Sequence, residues 1–200
     1  TFVFHGRSEA PDAEEVFCRT PGKRLQSHWE IPARRRSVTA MLARISSATV
    51  IGLEGAPVTV EVDVTGDMTS FSIVGLPDPA VRESRERVQA AIRNSGYHFP
   101  DARVTVNLAP ADVRKEGPLF DLPIAVGLLM ATGQCLTDVA ESCLVVGELG
   151  LDGLVRPVNG VLPMALAAAH SGMARMIVPP GNAKEAAVVE EVEVYTAETL

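Results

Sequence analysis

The chain has 200 residues, 46% of them apolar, 22% charged and 4% aromatic, with a formal net charge of −7. Those proportions describe one globular domain, or one domain with an appendage, whose core rests on Val, Leu, Ile, Ala and Met rather than on aromatic rings. They exclude a membrane-spanning helix, because the longest apolar run, Leu122 to Met130, contains Pro123 and falls short of the roughly 20 residues a span needs. Three scattered cysteines, Cys18, Cys135 and Cys143, fit reduced cytosolic thiols better than a disulfide framework or a zinc site.

Residues 1–40 read differently from the rest. They carry seven Lys/Arg and five Asp/Glu, leaving eleven and twenty for the remaining 160 residues, so the body is acidic at −9. An acidic body argues against a dominant electrostatic grip on nucleic acid by this chain alone. The first forty residues have no apolar period and no secretory h-region, and no Met precedes Met41. They are expected to be a non-native or disordered leader, with Met41 as the natural start and a domain over 41–200. The Arg34-Arg35-Arg36 cluster offers a nucleic-acid patch as the alternative, although charge runs in unpatterned segments are usually solvated.

From Met41 the chain alternates strand-like and helix-like segments. Arg44–Ile51 and Val58–Val64 (VTVEVDV, strict period two) read as paired strands, with a third over Phe71–Val74. Asp78 is a natural N-cap and Pro79 suits the first helical position, which predicts a helix over 79–95 ended by Gly96. Glu83 and Arg87 stand at i,i+4 on its outer face. Arg103–Leu108 is the next strand. A loop through Gly117-Pro118 follows, and Asp121 is expected to cap a helix over 122–133. Strands are predicted at Cys143–Gly147, Gly153–Arg156, Arg175–Val178 and 192–195, with helices over Val161–Ser171 and near 182–189. The class is mixed α/β with a hairpin-rich start.

Few residues announce chemistry. No G-x-x-x-x-G-K-[ST], G-x-G-x-x-G, H-E-x-x-H or G-x-S-x-G occurs. The histidines His5, His28, His98 and His170 are isolated, and His170 reads as a helix C-terminal residue favoured by the dipole. Glu190-Glu191 reads as solubility. No residue set has metal-ligand spacing. A serine–lysine pair would need a desolvated lysine beside the serine. The body offers only Lys115 and Lys184, both in polar, turn-like surroundings that do not promise burial.

Three stretches nevertheless carry a family likeness: VGLPDPAVRESRERVQAAIRNSGYHFP (74–100), VTVNLAPADVRKEGPLFDLPIAVGLL (104–129) and VVGELGLDGLVRPVNGVLPMALAA (145–168). Together they resemble the N-terminal domain of the YifB/ComM family of magnesium chelatase-like AAA+ ATPases, over Met41 to Leu200. The resemblance implies an α+β two-layer fold of the ribosomal-protein type, with mixed sheet and packed helices, similar to the Lon-protease proteolytic domain. It also implies a separate AAA+ module, absent from this chain, that would take ATP and Mg2+; no cofactor is expected in the chain itself.

Laid on the Lon loop K-D-G-P-S-A-G, Lys115-Glu116-Gly117-Pro118 matches, but Leu119 stands at the serine position. Pro157-Val158-Asn159-Gly160-Val161 matches the segment before the Lon lysine, with Leu162 in the lysine's place. The resemblance therefore implies no catalytic residue here and a non-catalytic accessory domain. The parent would be a cytoplasmic, hexameric ATPase and DNA motor of the branch-migration helicase type, acting in natural transformation or recombination; this domain would contribute DNA docking or hexamer assembly. Candidate DNA or partner contacts are Arg82, Arg85, Arg87 and Arg93 on the 79–95 helix, with Arg114 and Lys115 in the loop. The alternative for each is a solvated charge balanced by Glu83, Glu86 or Glu116. A Lon-like Ser/Lys peptidase is the alternative function, and a pure oligomerisation module a third.

Overall fold

The computed structural model describes residues 41–66, 68–135 and 142–200. The expected leader, with its arginine cluster and Cys18, lies outside the described residues, so nothing structural bears on it.

The fold starts from one long antiparallel ribbon. β1 (Met41–Ile51) and β2 (Glu54–Thr65) pair in unbroken register from Met41↔Val64 to Ile51↔Glu54. Period-two alternation puts Val58, Val60, Val62 and Val64 on one buried face and leaves Thr59, Glu61 and Asp63 on the other. β4 (Arg103–Ala109) pairs antiparallel with β2 and buries Val104, Val106 and Leu108 in the same layer. The expected third strand is β3 (Ser70–Val74), which runs parallel to β4 at the sheet's edge. A parallel pair needs a crossover, and the helical segment between the two strands supplies it.

That segment is α1 (Pro79–Arg82) followed by α2 (Ser84–Asn94), where the sequence predicts a single helix. Glu83 lies between the two, where the Glu86 N–H donates to the Glu83 carbonyl at 3.1 Å, a tighter turn than the α-helical bond. β5 (Cys143–Val145) joins β1 in parallel, and β8 (Arg175–Val178) and β9 (Glu193–Thr196) extend the sheet in parallel. The order is β3-β4-β2-β1-β5-β8-β9, and β6 (Glu148–Leu149) and β7 (Val155–Arg156) form a separate hairpin.

α3 (Asp121–Ala131) is buried along almost its whole circumference, because it lies against β1 and β2 on one side and α2 on the other. At Gly127 an added Cβ would sit 2.8 Å from Val62 Cγ2, so glycine lets the helix close onto the sheet. α4 (Val161–His170) crosses the hairpin end, where Gly55 lies against the Pro163 carbonyl, and contacts α5 (Ala183–Ala186). The helix expected near 182–189 is shorter, a 3₁₀ turn over Pro180–Asn182 leading into α5. The result is mixed α/β of the α+β two-layer kind. Among the described residues no helix is long and apolar enough to cross a membrane.

Candidate functional site

The Lys115–Phe120 loop owes its shape to a second loop lying beside it. After β3, Gly75 turns with φ 98, and an added Cβ would be only 2.1 Å from the Leu108 carbonyl oxygen. Leu76 follows with φ 54, a left-handed conformation that a non-glycine residue adopts at a cost of about 1–3 kcal/mol. The Lys115 N–H donates to the Leu76 carbonyl (3.2 Å), and the Asp78 N–H to the Lys115 carbonyl (3.0 Å). The Asp78 carboxylate then serves two elements. One oxygen accepts the Val81 N–H at 2.7 Å and caps α1; the other accepts the Gly117 N–H at 3.1 Å. Asp78 is thus the expected cap and also the clamp on the Gly117-Pro118 turn.

Beyond Gly117, Pro118–Phe120 forms one 3₁₀ turn. Leu119, at the position where a nucleophile would stand, is 7% exposed, and its carbonyl accepts the Gly147 N–H at 3.0 Å. A buried leucine there packs the turn onto the core and supplies no hydroxyl. Leu162, at the other position, lies on the first turn of α4 and is partly buried. Its N–H donates to Glu185 Oε1 at 2.9 Å. Asn182 exchanges two bonds with Val158, donating to its carbonyl at 2.8 Å and accepting its N–H at 2.9 Å. Asn182 and Glu185 therefore fix the start of α4 by hydrogen bonding.

Asp121 corrects an expectation. It does not cap α3, whose N-cap is Phe120 without a side-chain bond; it is the first helical residue and is fully buried. Arg87 grips it with two prongs, Nε to Oδ2 at 2.6 Å and Nη2 to Oδ1 at 3.0 Å, and the Leu149 N–H adds a third bond at 3.2 Å. The Arg87 Nη2 also donates to the Ala80 carbonyl and to Ser84 Oγ. Burial pushes the Asp121 carboxyl above its ordinary value, with the bonds from Arg87 and Ser84 opposing; Asp121 in turn raises Arg87. One pair, a buried aspartate and a half-buried arginine, thus ties α2, α3 and the β6–β7 hairpin together, with sequence separations of 34 and 28 that leave no local signal. The only hint was a lone aspartate heading a wholly apolar helix, a group that needs a buried partner.

The six predicted contact residues separate into two groups. Arg82, Arg85, Arg93 and Arg114 are exposed. Arg85 lies 3.7 Å from Glu86 and Arg114 3.1 Å from Glu116, while Arg93 stands over the Phe99 ring at 5.9 Å. Arg87 is committed to Asp121. Lys115 is fully buried, against the expectation of a solvated loop lysine and against a place on a contact surface. Its Nζ donates to the Pro110 carbonyl, the one hydrogen bond of that ammonium among the described residues. Burial lowers its pKa, and the nearby Asp112 partly offsets this.

That burial has a measurable consequence. The folded chain penalises the Lys115 ammonium, so the unfolded chain holds more protons between the lowered folded value and the ordinary 10.5. Stability contributed by this group therefore rises with pH across that window. Lys115→Met is expected to remove the rise. In urea melts at several pH values, the midpoint of the wild type relative to the variant climbs toward pH 10.5. A constant difference would mean that Lys115 does not titrate in this way.

Burial pushes the Cys143 thiol up to about 12, far from thiolate chemistry at neutral pH. No group of three or more His, Cys, Asp or Glu side chains that could hold a metal ion occurs among the described residues.

Comparison with known proteins agrees with this geometry. The family described as subunit ChlI of Mg-chelatase matches residues 60–182. The competence protein ComM of Haemophilus influenzae is 41% identical over 159 residues, which is 80% of this chain and 31% of ComM. YifB of Salmonella typhimurium is 40% identical over 159 residues, again 80% of this chain and 31% of the relative. Lon protease 2 of Bacillus subtilis is 26% identical over 155 residues, covering 70% of this chain and 27% of that enzyme. The chain thus spans about a third of the length of ComM and YifB. The matched span includes both the loop clamped by Asp78 and the start of α4, and the chain belongs to the YifB/ComM family of magnesium chelatase-like proteins.

Proposed function

We propose that this chain is a non-catalytic accessory domain of a magnesium chelatase-like AAA+ ATPase that supports DNA processing in the cytoplasm. The observation that carries the reading is the pair of leucines, Leu119 and Leu162, at the positions where a Lon-type nucleophile and lysine would stand, each absorbed into packing and backbone bonding. The competence name of ComM favours a role in natural transformation or recombination. The parent would be a hexamer, and its AAA+ module would take ATP and Mg2+.

Arg82, Arg85 and Arg93 project from α1 and α2, and Arg114 from the neighbouring loop; these four are the members of the candidate set that stay exposed and could meet a phosphate backbone. Filter-binding titration of the 200-residue chain against forked DNA at several salt concentrations tests the contact. The expected result is salt-sensitive binding whose log–log slope shallows by about one per phosphate contact when these arginines are changed to Gln. Binding that is absent, both for the chain and for the full-length assembly, removes the DNA-contact version.

A peptidase reading has one observation in its favour: a buried lysine with a lowered pKa is what a Ser/Lys pair requires. Lys115, however, donates to a carbonyl rather than to a serine hydroxyl, which leaves it without a nucleophile to activate.

A further inference from the structure

The sheet has two edges, and they differ in character. β9 carries Glu193, a charge of the kind that protects an edge from pairing. β3 reads SFSIV, with no charge, no proline and no bulge in its register with β4. The Ser70 N–H donates to the Ala102 carbonyl at 3.3 Å, so the main-chain groups of Ser70, Ser72 and Val74 point into the sheet. Alternation then turns the N–H and C=O groups of Phe71 and Ile73 outward, and among the described residues no strand pairs with them.

These outward groups are symmetric about Ser72. We propose that β3 is the surface through which two copies of this chain pair, antiparallel and two-fold about Ser72. In that register Phe71 faces Ile73 of the second copy, and both residues present outward peptide groups. Four N–H···O=C bonds form, around a non-hydrogen-bonded Ser72–Ser72 pair. Phe71 and Ile73 meet as an aromatic and a β-branched partner, a favourable cross-strand combination, and no like charges oppose one another. The same two-fold brings Met68 of one copy toward Leu76 of the other. Both are exposed apolar side chains, at 72% and 55%, standing at opposite ends of the strand.

Five residues of strand and two flanking side chains make an interface below the roughly 1,200 Å² of stable complexes, so the association is weak, on the order of 0.1–1 mM. Being isologous, the contact closes on itself and links chains in pairs; it is independent of any ring formed by other surfaces.

Sedimentation equilibrium of the 200-residue chain up to about millimolar concentration tests the proposal. Wild type is expected to pass from monomer to dimer. Ser72→Lys and Ser72→Glu each change an exposed side chain and place like charges across the two-fold, weakening self-association by about fivefold, with circular dichroism unchanged. An equimolar mixture of the two variants regains association through Lys–Glu pairing. A wild type that stays monomeric overturns the proposal and leaves the edge to a strand from some other partner. Variants that dimerise like wild type, or a mixture that fails to regain association, overturn the register.

Discussion

Asp121→Ala is expected to destabilise the chain by about 3–5 kcal/mol, because it leaves Arg87 without its partner inside the α2–α3 interface. A typical domain has only about 5–15 kcal/mol in total, so the substitution brings this one near its unfolding threshold. The cost arises from several losses at one place. The carboxylate is fully buried, holds both prongs of Arg87, and receives the Leu149 N–H that anchors the β6–β7 hairpin. Urea denaturation should show a lower midpoint with an unchanged slope. The double substitution Asp121→Leu with Arg87→Met should recover much of the loss, since apolar side chains of similar volume often replace a buried pair at little cost. A single Asp121→Ala variant as stable as wild type would show that the pair does not hold these elements together.

Gly75→Ala is the second large effect, expected at about 3 kcal/mol or more. Two independent causes act there. The residue has φ 98, and its added Cβ would lie 2.1 Å from the Leu108 carbonyl oxygen, a backbone atom of β4 that cannot swing aside. Gly96→Ala separates them. Its φ is 83, yet nothing lies within 4 Å of the added Cβ, so only the conformational part of about 1 kcal/mol applies. Thermal unfolding of the two variants should therefore differ clearly, with Gly75→Ala far the worse. Equal shifts would mean that the β3–α1 turn does not press on β4.

Much of the fold was legible because it obeys local periods. The alternation of Val58 to Val64 fixed the central strand and its buried face, and Arg175–Val178 appears with the boundaries its residue types predict. What escaped was long-range. The β6–β7 pairing is two residues deep and has no period to read. The strand over Phe71–Val74 was legible from its residue types but its partner was not, because the helical crossover that carries it alongside β4 is a long-range feature. At the site, the two leucines were legible from the loop motifs, but the fates of the charged residues were not. Arg87 and Glu83 look like a surface i,i+4 pair; they are 3.7 Å apart, while the shorter bonds of Arg87 go to the buried carboxylate of Asp121. Lys115 stands between Arg114 and Glu116 and looks solvated, yet backbone pairing with the Leu76–Asp78 loop turns it inward. Charge in sequence gives the number of ions, and only the packing decides which of them meet water.

The central claim is that the loop clamped by Asp78 is built for packing and holds no catalytic nucleophile. Peptide-bond turnover by the 200-residue chain, on casein and on fluorogenic peptides, tests it most directly. The account predicts no release above a protein-free control, in wild type and in Lys115→Ala alike. Turnover by the wild type that disappears in Lys115→Ala would contradict it, and would make the buried lysine the base of an active site.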